Sequence, residues 1–428
     1  MNILITSVHS SKNAGDYALL IQTIHYLNKA FGDVHISILA NWPNEIAFQE
    51  ISDNIVGSPW WVIKAWDKKK KPRNQIASLS LGIFFLLLSK IGFLKIFPHI
   101  IPIKWRKIFL LYMNSDLVVA VSGNQLFSSG RYGWPLPAIG LPIYLASIFK
   151  KRMIVFPQSI GPLNSLLEKR FVKFLYNNVN KLYIRDLESL SLVRDLHINK
   201  SDPRFMHDIA FTYPPTKTSI SKRTLNSMRF NSLHNNIGMT IISNMPSYLS
   251  QSAMNNYYES IAKSIDFLIL KKNFDVFLFC QVYGPTHDEN DFFGIERILQ
   301  LLPKPLNQKL HYSSQQLHPS ELKSCYGEMD LFLASRLHSG IFSLSMRVPT
   351  LFISYLYKTI GVLEAINLEN YYIKLEEVTS KNIINRILYM WDNKLELKKI
   401  INQEISLVES DLENFPSSIK NAVLDYEN

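Results

Sequence analysis

The chain has 428 residues, 47% hydrophobic and 19% charged, which excludes a disordered protein and is long for a single domain. Two cysteines, Cys280 and Cys325, with no C-x-x-C spacing, exclude a disulfide framework and a cysteine zinc site and fit a reducing cytoplasm. The formal charge of +11 suits an anionic partner, but no RNP, zinc-finger or helix-turn-helix signature accompanies it, so no nucleic acid is expected.

In chain order, Met1–Thr6 reads as a buried strand rather than a signal peptide, because it lacks a basic lead and a small-residue cleavage site. A polar glycine loop, a helix over Tyr17–Ala30 and a second strand at Val34–Leu39 follow. In the loop, Asn13-Ala14-Gly15-Asp16 opens the helix: glycine permits a tight turn and free N–H groups face an anion. The simpler reading makes Asp16 a plain N-cap.

Trp60, Trp61 and Trp66 then lie beside or within the basic run Lys64–Arg73. The apolar segment Ile76–Ser89 is about fourteen residues long, short of the roughly 20 a spanning helix needs. Lys90, Lys95, Pro98 and Pro102 interrupt its continuation to Ile103. This stretch reads equally as a segment on the inner membrane face and as a helical hairpin buried in the first domain or at an oligomer contact.

Leu117–Val121, Met153–Phe156 and Lys181–Ile184 continue a βαβ rhythm that implies a parallel sheet covered on both faces. Ser122-Gly123-Asn124-Gln125 reads as an ordinary turn. In Phe156–Leu163, two prolines and a glycine shape a loop in which Gln158 and Ser159 offer neutral hydrogen-bonding groups to a sugar or phosphate, or serve only the loop. Arg185-Asp186 ends the next strand as a functional pair, a structural ion pair or a helix cap, and His207-Asp208 reads as a turn.

Apolar runs vanish between Pro214 and Asn236, the best linker. The rhythm restarts at Ile237–Ile242, with a helix over Tyr257–Lys271, strand Asp275–Phe279, a helix near Asp291–Leu302, and strands Leu331–Ala334 and Thr350–Ser354. The cluster His287–Asp291 has metal-ligand residue types without helical ligand spacing, so a solvated loop is expected. Arg386 onward reads as helical and is placed back across the first domain.

Ser335-Arg336-Leu337-His338 carries the strongest chemical signal. It sits where a buried strand ends and a helix begins, the place where open α/β sheets collect ligands. Arginine grips a carboxylate or phosphate with a planar fork, and histidine moves a proton near neutral pH. Tyr355 and Lys358 follow the next strand, so two cations converge near one imidazole.

The order of Asn13–Asp16, Ser122–Phe127, Gln158–Leu163, Arg185–Ser189, Asp208–Phe211, Arg336–His338 and Tyr355–Lys358 resembles the polysaccharide pyruvyl transferase family, from about residue 3 to about residue 365. The resemblance implies an α/β, GT-B-like fold: two Rossmann-like domains facing a central cleft, with the C-terminal helix packing back on the first. The expected domains are 1–225 on the acceptor side, with an insertion near 60–103, 226–400 on the donor side, and a helical extension at 401–428.

The resemblance also implies transfer of the pyruvyl group of phosphoenolpyruvate to a sugar of a polysaccharide or lipid-linked glycan precursor, as a ketal, with release of phosphate. By motif, the family's anion-binding and catalytic residues fall on Arg185, Arg336 and His338. A donor bearing a carboxylate and a phosphate needs at least two cationic grips, which Arg185 and Arg336 suit, with Lys358 as a third. His338 is the expected acid/base, and Asp16 or Asp186 would orient an acceptor hydroxyl. Asn13, Gly15, Gln158, Ser159, Asp186, Tyr355 and Lys358 complete the expected substrate-binding set.

No metal or cofactor is expected, since the arginines supply positive charge. Relatives commonly show consecutive glycines where this chain has Ser122-Gly123-Asn124, which leaves the acceptor open. The expected setting is the cytoplasm, with peripheral contact at the inner membrane through the insertion. The alternatives are a nucleotide-sugar glycosyltransferase on the same scaffold and a non-catalytic, membrane-docking member of a glycan-assembly complex.

Overall fold

Leu117-Val118-Val119-Ala120 and Leu331-Phe332-Leu333-Ala334 have every side chain buried, the pattern of parallel strands covered on both faces. A computed structural model describes residues 1–66, 80, 101–124, 126–128, 136–243, 250–303, 309–355 and 357–424. It divides into two units, the first formed by Met1–Ser11, Leu19–Asp208 and Glu413–Asn428, the second by Lys12–Ala18 and Ile209–Leu412.

The first unit holds β1 (Asn2–Val8), β2 (His35–Ala40), β3 (Asn54–Gly57), β4 (Leu117–Ala120), β5 (Gly123–Asn124), β6 (Arg152–Ser159), β7 (Lys181–Ile184) and β8 (Arg204–Phe205). They form one parallel sheet in the order β3-β2-β1-β4-β6-β7-β8, with β5 alongside β6. The second unit repeats the plan with β9 (Asn235–Thr240), β10 (Phe274–Phe279), β11 (Leu310–Tyr312), β12 (Leu331–Ala334), β13 (Thr350–Ser354) and β14 (Tyr372–Lys374). Their order is β11-β10-β9-β12-β13-β14, also parallel. Strand order therefore reverses between β1 and β4 and between β9 and β12, and the loops at those carboxyl ends are where such sheets bind ligands.

The central strands match the expected apolar runs. The edge strands β3, β8, β11 and β14 and the short β5 were not expected, because two to four residues of mixed polarity carry no periodic signal. Residues 214–236, read as a linker, contain a helix at Thr218–Ser227 that buries Ser221 and Leu225. The Thr216 amide donates to the Ser320 carbonyl (3.0 Å) and the Thr224 hydroxyl to the Glu321 carboxylate. Polar bonds replace apolar area along this face, which is why hydropathy missed it.

The last helix, Phe415–Leu424, belongs to the first unit and packs back on its sheet. Phe415 meets Tyr26, Phe156 and Tyr183 edge-on at 5.3, 5.1 and 4.9 Å between ring centres, and the Tyr183 and Ser418 hydroxyls hydrogen-bond at 2.7 Å. Edge-to-face packing puts the positive ring edge on the negative face of its neighbour, adding to the area buried.

Residues 67–79 and 81–100, most of the Trp/Lys and apolar insertion, lie outside the described residues. Trp60 and Trp61 pack half-buried against the first unit's core, on the helix Pro59–Trp66, and Lys104 stands over the Trp61 ring at 4.5 Å. Among the described residues no helix is long and apolar enough to cross a membrane.

In the second unit Lys323 is buried at 3% exposure, and its amine donates to the Phe211 and Tyr213 carbonyls at 2.9 and 2.6 Å. A neutral amine has two N–H groups for these two carbonyls, so losing the proton breaks neither bond. Burial, with Arg347 nearby, lowers its pKa to about 7 against the opposing pull of Glu409.

Truncating Phe415 to alanine should cost about 3–5 kcal/mol of stability, read by urea denaturation. From about pH 7 up to the ordinary lysine value near 10.4, the unfolded chain holds a proton that native Lys323 has released, so stability rises with pH. In Lys323→Met that rise should flatten, as followed by Tm across the same range.

Candidate active site

The strand β12 stops at Ala334, and Arg336 takes an extended conformation as N-cap of the helix Leu337–Ser345. Gly340 lets this helix lie against β13: a Cβ there would enter the Phe352 ring. The turn is fixed by buried hydroxyls. Ser335 accepts from Tyr257 (2.8 Å), its amide donates to Thr240 (3.1 Å), and Ser339 donates to the Arg336 carbonyl (2.7 Å).

The Arg336 guanidinium is gripped by Asp291, with Nη2 donating to Oδ1 at 2.5 Å and Nε to both oxygens at 3.2 and 3.3 Å. Asp291 is fully buried and stands just before the helix Phe292–Leu301. Its other oxygen accepts from the Val282 amide at 3.0 Å, and its own amide returns a bond to the Val282 carbonyl at 2.8 Å. Burial alone would lower the Arg336 pKa, but Asp291 and Tyr355, which also hydrogen-bonds it, raise it above its ordinary value. Burial pushes Asp291 upward while Arg336 opposes it. A guanidinium does not give up its proton, and the donors that converge on Asp291 favour its charged form against burial, so the pair is ionic.

Asp291 was expected in a solvated loop. His287 and Asp288 of that cluster are indeed exposed, but Asp291 turns inward. Its signal lay in its position directly ahead of the apolar run Phe292-Phe293-Gly294-Ile295.

Val282 also anchors the N-terminal motif. Asn13 bridges to Val282, the Ala14 amide donates to the Gln281 carbonyl (3.0 Å), and the Tyr283 amide to the Lys12 carbonyl (2.8 Å). Asn13, rather than Asp16, caps the helix Ala14–Phe31: its Oδ1 accepts from the Gly15 amide at 3.0 Å and the Asp16 amide at 3.4 Å. Asp16 thus lies in the first turn, where a carboxylate complements the helix dipole. Gly15 is not there for a turn. It lies within the helix, and a Cβ on it would overlap the His338 imidazole. The glycine is a close approach to the candidate acid/base.

Asn13, Gly15, Arg336, His338 and Tyr355 are therefore drawn together in the second unit, and Asp16 follows Gly15 in the first turn of its helix. Lys358 stands half-buried one residue into the helix Tyr357–Glu364, after β13.

In the first unit the structure groups Gln158, Ser159, Arg185 and Asp186 at the ends of β6 and β7. Arg185 is 1% exposed, donating from Nε to Ser159 (2.9 Å) and from Nη1 to Asp208 (2.6 Å). Its partner is Asp208, not the adjacent Asp186, since neighbouring residues of an extended chain point oppositely. Asp186 caps the helix Leu187–Asp195, accepting from the Ser189 amide and hydroxyl, each at 2.8 Å. Gln158 is fully buried and donates to the Val121 carbonyl. The two cysteines are also buried, and burial pushes the Cys325 thiol up to about 12 and Cys280 further, which disfavours a thiolate nucleophile.

Two doubly wound parallel-sheet units of this order define a GT-B-like α/β protein. Solved structures that share the fold include three from bacterial sources. UDP-GlcNAc 2-epimerase of Neisseria meningitidis, bound to UDP-GlcNAc, has a TM-score of 0.57 at 11% identity, covering 97% of this chain and 100% of that one. HepE of Anabaena in complex with UDP has a TM-score of 0.57 at 9% identity (100% and 99% covered). A glycosyltransferase of Rickettsia africae has a TM-score of 0.56 at 14% identity (99% and 98% covered).

The polysaccharide pyruvyl transferase family profile matches residues 13–357, and the chain belongs to that family. It is also 21% identical over 418 residues to the amylovoran biosynthesis protein AmsJ of Erwinia amylovora, covering 95% of each. The protein is thus a transferase of glycan biosynthesis.

Gly15→Ala should abolish turnover by displacing His338 and cost about 1–3 kcal/mol in urea denaturation, since the added methyl overpacks a buried contact with the imidazole. Asp291→Ala should cost about 3–5 kcal/mol in urea denaturation, because it leaves the half-buried Arg336 without its counter-ion and the Val282 amide without its acceptor.

Proposed function

We propose that the protein moves the pyruvyl group of phosphoenolpyruvate onto a sugar of a polysaccharide or lipid-linked glycan precursor, in the cytoplasm and without a metal or cofactor. Family membership supports the reaction class. The observation that carries the reading is the pairing, in one unit, of Arg336 fixed by Asp291 with His338 seated against Gly15.

Pairing changes what the arginines contribute. Arg336–Asp291 is neutral overall, so it offers oriented N–H donors rather than net charge, while Arg185 is buried with its Nε and Nη1 held by Ser159 and Asp208. Donors fixed before the reaction need no reorganisation when charge develops on the leaving phosphate. Lys358 and the N-terminus of the helix Leu337–Ser345, whose cap side chain accepts no hydrogen bond, add positive potential for the anion.

In the proposed sequence His338 delivers a proton to the enol methylene, and a sugar hydroxyl attacks the central carbon as it gives up its own proton. The C–O bond to phosphate then breaks, inorganic phosphate leaves, and a second hydroxyl closes the ketal with loss of its proton. The carboxylate remains on the ketal carbon. Asp16 is the candidate to orient or deprotonate the acceptor hydroxyl.

Phosphoenolpyruvate alone should raise the Tm of the wild type but not of Arg336→Met. His338→Ala should keep that rise while losing about 10²–10⁴ in the rate of phosphate release with a glycan-precursor extract as acceptor. No rise with phosphoenolpyruvate, together with a rise with UDP-GlcNAc, would overturn the reading in favour of a nucleotide-sugar enzyme.

A further inference from the structure

The helix Leu166–Tyr176 of the first unit is apolar on two faces. One face is accounted for by the core: Val172, Leu175 and Tyr176 are buried there. The other is not. Leu166 and Leu167 are 72% and 75% exposed, and Phe174, whose ring touches Tyr144, is still 49% exposed. Leu166, Arg170 and Phe174 recur every four residues and so form one outward stripe, with Leu167 and Lys173 on its flanks.

The charges this helix turns to solvent have one sign. Lys169 and Lys173 are half-exposed and Arg170 is exposed. The helix's single acid, Glu168, is 5% exposed and faces inward. It accepts from the Ser128 hydroxyl at 2.7 Å and from the Asn164 and Ser165 amides at 2.8 Å, closing a capping box with Ser165. The one carboxylate that would repel an anion is therefore held away from the surface by three hydrogen bonds.

We propose that this helix docks on an anionic phospholipid surface, lying in the plane of the headgroups. Long apolar side chains interleaved with cations, and no exposed acid between them, match the chemistry of that interface. Lysine stems run along apolar surface while their ammonium groups reach the phosphates, whereas protein interfaces are depleted in lysine. A lipid surface is therefore favoured over a second protein. The proposal does not depend on the pyruvyl chemistry.

The test uses the full chain and sucrose-loaded vesicles, one set rich in phosphatidylglycerol and one of phosphatidylcholine alone. The wild type should sediment with the first and not the second. Lys169→Gln/Arg170→Gln/Lys173→Gln should weaken that binding on the order of a hundredfold, three surface cations being removed. Leu166→Ser/Leu167→Ser/Phe174→Ser should weaken it comparably, with Tm within a few degrees of wild type because none of the three belongs to the core. Absence of binding to phosphatidylglycerol vesicles overturns the proposal, as does binding by both variants equal to that of the wild type. A wild-type dimer in sedimentation velocity that the serine variant abolishes, without vesicle binding, would assign the face to a second copy instead.

Discussion

A charge taken out of water must find a counter-charge, and both units answer that demand in the same way. Each has an arginine just beyond the carboxyl end of a sheet strand, and each arginine is held by an aspartate from further along or earlier in the chain: Arg185 by Asp208, Arg336 by Asp291. The desolvation of either ion alone is several kcal/mol, so neither residue of a pair tolerates the other's removal. Around Arg336 this requirement organises much else. Asp291 is fixed through Val282, Val282 anchors Asn13, and the helix that Asn13 caps carries Gly15 to His338.

Such a network trades stability for geometry. A well-packed apolar core at the same place would hold the fold as well, yet it would offer no donors to an anion. The hydroxyls of Ser335, Ser339, Thr240 and Tyr257 belong to the same economy: each is buried, each is hydrogen-bonded, and together they prevent the turn at Arg336 from relaxing. The glycines serve approach rather than flexibility. Gly15 admits an imidazole and Gly340 admits a phenyl ring, and both lie in ordinary helix.

The central strands, the two α/β units, the return of the last helix and the family were legible in the sequence, because buried parallel strands are continuous apolar runs and the motifs keep their order. The edges were not, since β8 and β11 are too short for periodicity to speak. The helix Thr218–Ser227 hid for a different reason. It is held by polar bonds to Ser320 and Glu321, and hydropathy does not register those.

What the sequence determined by itself was the chemistry at hand: an arginine and a histidine at a strand end, a lysine and a tyrosine after the next strand, and a glycine motif near the start. What only the tertiary structure decided was who partners whom. Asp291 is 45 residues from Arg336 and Asp208 is 23 from Arg185, while the adjacent Asp186 turns to cap a helix instead. Gly15 and His338 meet only because the chain folds Lys12–Ala18 into the second unit. Side-chain direction in a strand or helix follows from local geometry, but ion pairs across a fold follow from burial, and burial is a property of the assembled molecule.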